Sequence, residues 1–165
     1  MNLIIESSIK TLEKTRSLLS ILNNSQLSND SVPPYYSSIG SHIRHILDFY
    51  NCILNSENNI VDLTSRERDQ NVENFTESAL NYLESIILKL KLLPDLLDKV
   101  IIVKDDLGLG KIKIKYTLSS LLAQANSHTI HHYSIINYIL IGLNIKFGEA
   151  QFGVNPTTPY KRVNR

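Results

Sequence analysis

Residues 119–143, SSLLAQANSHTIHHYSIINYILIGL, decide the fold. Apolar side chains return every three or four positions, no proline interrupts them, and Gly142 with Asn144 supplies a stop. The spacing therefore predicts one long helix over about 119–143, capped by Thr117 or Ser119. At about 100° per residue, His128 and His132 lie about 40° apart, one turn above the other. Leu121, Ala125, Ile135, Ile136 and Ile139 fall on the same side, so both imidazoles are expected within the apolar stripe. A buried polar ring without a partner costs about 1–3 kcal/mol. A metal ion shared by both rings removes that penalty, and the i, i+4 spacing lets two histidines of one helix reach the same ion. Taken alone, the pair also fits two core histidines bonded to neighbours.

Upstream of this helix, KVIIVK (99–104) and KIKIKY (111–116) stand on either side of DDLGLG. Alternating β-branched residues around glycines predict a β-hairpin over about 99–116. Lys111, Lys113 and Lys115 form its solvated face and blunt the sheet edge. Three more helices are expected. The first covers about 3–22, with Leu3, Ile5, Ile9, Leu12, Leu19 and Leu22 near helical spacing. The second covers about 39–56, after the turn chemistry of NNSQLSNDSVPP (23–34) and a cap at Ser37 or Ser38. The third covers about 75–97, bent or broken at Pro94. Residues 57–72, ENNIVDLTSRERDQNV, read as an ordered polar loop, and 147–165 as an irregular tail. The expectation is a single domain over 1–165: all-α, an up-and-down four-helix bundle with a small β-hairpin inserted between helices 3 and 4.

Composition excludes several functions. Seventeen Lys+Arg against sixteen Asp+Glu give a formal charge of +1, which argues against a nucleic-acid partner. A single cysteine, Cys52, rules out an internal disulfide framework and a zinc site of several thiolates. No apolar run approaches the roughly 20 residues needed to cross a bilayer. The start, MNLIIESSIK, lacks the basic and apolar regions of a secretory signal, so a cytoplasmic protein with no membrane partner is expected.

The helix at 39–56 adds His42 and His45. Its apolar face is centred near Ile39, Ile43, Tyr50 and Leu54. His42 points nearer that centre, and His45 lies on a flank with Ser38 and Cys52. Periodicity leaves either as a third ligand, with a slight preference for His42. Three neutral imidazoles leave coordination positions open, as in catalytic zinc, nickel or iron sites. The glutamate of an HExxH metalloprotease is missing between His128 and His132, which disfavours zincin-type hydrolysis. Asp48 stands three residues after His45 and can orient a ligand ring from behind, although a solvated or helix-paired aspartate is the commoner outcome. His131 falls at the pocket rim. Cys52 reads as a small buried apolar group. Arg66 and Arg68 either meet an anionic substrate or pair with Glu67 and Asp69.

SIGSHIRHILDFY (38–50) together with SHTIHHYSIINYIL (127–140) resembles the DinB/YfiT-like superfamily of small metal-binding four-helix bundles. The family motif is a Ser-Ile-Gly-like helix start with a histidine seven residues after the serine, followed by HxxxH in the last helix. Ser38, Ile39 and Gly40 place that histidine at His45, and His128 follows 83 residues later. The resemblance extends over about residues 5–150. It implies His45, His128 and His132 as the metal ligands, with His42 beside the metal. It also implies a divalent ion, zinc or nickel first and iron next, with a small-molecule substrate. A homodimer is expected separately, paired through the apolar faces of helices 1 and 3. The implied activity is a metal-activated S-transfer from a low-molecular-weight thiol, or metal-dependent hydrolysis. A non-catalytic bundle that binds metal or ligand, or simply dimerises, is the alternative.

Overall fold

A computed structural model describes residues 2–93 and 98–159. α1 (Leu3–Leu19) begins where the Asn2 side chain accepts from the Ile4 amide. A short α2 (Asn24–Leu27) follows, held by a capping box between Asn23 and Gln26, so the turn chemistry at 23–34 shortens the first helix and adds one helical turn. α3 (Ile39–Leu54) is capped by Ser38, whose hydroxyl accepts from the Ser41 amide. α5 (Thr76–Lys91) is the expected third helix; its expected end near Leu97, with the bend at Pro94, lies outside the described residues. α6 (Leu118–Gly142) is the expected last helix, capped by Thr117 in a reciprocal box with Ser120. The last residues of the tail, from 160 onward, also lie outside the description.

The all-α expectation is overturned. Of the described residues, 54% are helical and 12% are in strands, a mixed α/β fold with six helices and a three-stranded mixed sheet. β2 (Val100–Asp106) and β3 (Lys111–Thr117) form the expected antiparallel hairpin. The third strand, β1 (Ile60–Asp62), comes from the segment read as a loop, and it pairs parallel with β2 in the order β1-β2-β3. Three residues in a polar stretch carry no usable period. Pairing forms because Val61 can join Ile101 and Val103 under the helices, all three almost completely buried. The same segment yields α4 (Gln70–Asn74), capped by Asp69. On the outer strand, Lys111, Lys113 and Lys115 are exposed, while Ile114 and Tyr116 are only half-buried.

The four long helices enclose one core. α3 packs on α5 and α6, and α1 packs on the same two from the opposite side. Leu12, Leu18, Ile43, Leu47, Leu83, Ile86, Leu121 and Ile136 are fully enclosed there. Gly40 lets α4 approach the start of α3, since a Cβ at that position would lie 2.0 Å from the Glu73 carbonyl oxygen. Between α6 and α1, the Tyr133 hydroxyl donates to the Thr11 carbonyl at 2.8 Å and lies 2.6 Å from Thr15 Oγ1, tying the two helices together. Phe152 of the tail stacks on the Tyr133 ring.

Candidate metal centre

α3 and α6 meet along a seam, and all five histidines lie on it. On α6 the fully buried positions are Leu121, Leu122, Ala125, Thr129, Tyr133, Ile136 and Leu140, together with Ile139. That stripe is centred one residue past the histidines. His128 and His132 are therefore half-buried on its flank, facing α3, rather than in its middle. His42 and His45 occupy the matching flank of α3 and are also half-buried.

The facing flanks bring three nitrogens together. His45 Nε2 lies 2.9 Å from His128 Nε2, and His132 Nε2 lies 3.1 Å from the same atom. One ligand atom from each of His45, His128 and His132 lies within 4.8 Å of the others. A cation bound by imidazoles at about 2.1 Å holds its nitrogens about 3.0 Å apart at right angles and about 3.4 Å apart in a tetrahedron. Both measured separations fall within a few tenths of an ångström of that range. The donor set is chemically suited as well. Burial pushes His45 down to about 4 and His132 down to about 2, and it also lowers His128 and His42. The neighbouring Arg66 guanidinium adds to the shift at His45. All four rings are neutral at pH 7, the form a metal requires. No family model and no curated protein matches this chain.

Two of the ring backs are occupied. His132 Nδ1 lies 2.8 Å from His42 Nδ1, and His42 Nε2 lies 2.8 Å from Ser37 Oγ. Periodicity slightly favours His42 as the third ligand; the structure turns its ring toward the rear of His132 and leaves His45 in the triad. Behind His45, Arg66 Nη1 donates to Nδ1 at 2.9 Å, and Arg66 Nε donates to the Leu63 carbonyl at 2.7 Å. Phe49 presses on the His128 ring edge to face, with centroids 5.3 Å apart.

Asp48 goes elsewhere. Its carboxylate accepts from Arg44, four residues back, and from the Tyr82 hydroxyl, while Arg44 also pairs with Glu73. Desolvation raises the Asp48 pKa against the opposing pull of Arg44. This enclosed network joins α3, α4 and α5. Sequence reasoning missed Arg44, although its i, i+4 spacing to Asp48 was a readable signal. Cys52 stays outside the triad, and burial pushes its thiol up, away from thiolate character.

Clefts flank the seam on both sides. One, of about 950 Å³, is charged and polar, and Arg66, Asp48, Cys52 and Lys104 line it. The other, of about 760 Å³, is largely apolar, and Tyr35, Tyr138, Ser37, His42 and His131 line it. His131 therefore sits at a cleft rim, with its ring 5.5 Å from that of His132. The triad histidines line neither cleft directly. Among the described residues, no helix is long and apolar enough to cross a membrane.

Proposed function

We propose that this chain is a metal-dependent enzyme in which His45, His128 and His132 hold one divalent first-row ion and leave a coordination position for a small molecule. The convergence of three neutral Nε2 atoms from two different helices carries this reading. The resemblance to the DinB/YfiT-like superfamily supports it independently, because the family motif selects the same three residues. Three imidazoles and no carboxylate suit zinc and nickel first, and iron next.

When bound, such an ion supplies positive charge that acidifies a coordinating thiol or water. The residues around it do less. Among the described contacts of the triad there is no carboxylate to act as a general base; the partners are His42 and Arg66. That environment favours a substrate whose proton the cation itself displaces, which fits S-transfer from a small thiol better than hydrolysis assisted by a side chain.

Elemental analysis of protein purified without a metal-carrying tag tests the site. A stoichiometric first-row metal, removed by chelation and lost in His128→Ala with the helical circular dichroism retained, is the expected result. Loss of a ligand should weaken binding by more than about 100-fold, beyond what changes behind the ligands cost. The reaction class is tested by conjugating glutathione to chlorodinitrobenzene with and without added zinc or nickel. A protein that takes up neither metal after supplementation would instead be a non-catalytic helical module.

A further inference from the structure

We propose that Arg66 competes with the metal ion for His45, so that loading the triad displaces this side chain; the inference rests on the metal reading above. A guanidinium offers only N–H donors and no lone pair. With Nη1 2.9 Å away, His45 Nδ1 must accept, and it is therefore unprotonated. A neutral imidazole with a bare Nδ1 carries its proton on Nε2, the atom that faces His128 Nε2 at 2.9 Å. That Nε2 has no lone pair free for an ion. Ligation through Nε2 needs the other tautomer: the proton leaves Nε2, solvent returns one to Nδ1, and the net proton count is unchanged. An Nδ1–H then faces a guanidinium N–H, donor against donor. The ion on Nε2 and the Arg66 contact on Nδ1 exclude each other.

The contact is also braced. Arg66 Nε is held by the Leu63 carbonyl at 2.7 Å, so the guanidinium cannot turn its Nη1 aside and keep that second bond. The side chain leaves as a unit, and the charged cleft that it already lines offers new partners in Asp62, Glu67 and Asp69. His132 shows the opposite arrangement. The nitrogen behind it belongs to a neutral histidine, which can accept an Nδ1–H and pass its own Nε2–H to Ser37. Arg66 is thus a positioning residue that lowers metal affinity and couples the 63–69 segment to loading.

The test compares wild type, Arg66→Gln and Arg66→Lys by zinc competition against a chromophoric chelator. The His45 tautomer is read from proton–nitrogen correlation spectra of the chelator-treated protein. The amide introduced by Arg66→Gln offers a carbonyl oxygen that accepts an Nδ1–H. This variant is expected to bind zinc about fivefold tighter, the scale of one exposed charge-assisted contact, and to shift His45 to the Nδ1–H tautomer. Arg66→Lys, again a pure donor, is expected to keep the Nε2–H tautomer and stay within about twofold of wild-type affinity. Unchanged tautomer and affinity in Arg66→Gln overturn the role of Arg66 and leave the metal reading standing. Zinc bound by none of the three proteins overturns both.

Discussion

The rear of His132 and the rear of His45 differ in the element that supplies the partner and in the polarity of the hydrogen bond. Behind His132 stands His42, a ring on the rigid helix α3, braced in turn by Ser37 just before that helix. Behind His45 stands Arg66, on an irregular segment between β1 and α4. A ring that can accept fixes its neighbour in the ligating tautomer. A guanidinium that can only donate fixes the other one. The difference teaches that proximity of three nitrogens is not sufficient to define a metal site, since the atoms behind each ring decide whether its lone pair is available. It also separates the part of the centre built into the helix seam from the part that a surface segment can adjust.

The largest effect on this comparison is expected from His42→Ala, which removes the helix-borne support. Zinc affinity should fall by about 10- to 100-fold. His42→Asn should recover much of it, because its amide oxygen can accept from His132 Nδ1–H. Chelator competition measures both, and an unchanged affinity in His42→Ala would erase the distinction between the two sides.

A smaller effect concerns pH. Imidazoles with lowered pKa values stay neutral below the ordinary value of about 6.5, so protons compete for their lone pairs only in more acidic solution. With His45 near 4, His132 near 2 and His128 also held below its ordinary value, zinc affinity should stay level as the pH falls through 6.5 and drop only in more acidic solution. The stability of chelator-treated protein should begin to change at a higher pH, because the unfolded chain titrates near 6.5. The unfolded chain takes up protons that the folded one refuses, so stability is complete above about 6.5 and declines as the pH falls toward 4. Zinc release centred at 6.5 would show that these rings are not desolvated as the seam requires.

The smallest effect is expected from Tyr133→Phe, next to His132 but on the core-facing side of α6. Losing the bonds to Thr11 and Thr15 should lower stability by about 1 kcal/mol, seen as a fall of roughly 2–4 °C in Tm. Metal affinity should not change, because the hydroxyl faces α1 rather than the triad.

The sequence by itself determined the long helices, the hairpin and the pairing of His128 with His132, because each is written in a local period: three to four residues for the helices, two for the strands, four for the histidine pair. Tertiary structure decided the rest. Of His42 and His45, two half-buried flank residues of α3 that periodicity could not separate, it brought His45 into the cluster with His128 and His132, because the grouping depends on how α3 is rotated against α6. It drew Ile60–Asp62 into a parallel strand, a pairing stabilised by residues some forty positions away and invisible within its own segment. It set Arg66 against the back of His45, a contact across 21 residues. Short-range patterns survive in the linear chain because the side chains that make them share one element. The polarity of hydrogen bonds behind a ligand does not, because it is fixed only when separate elements dock.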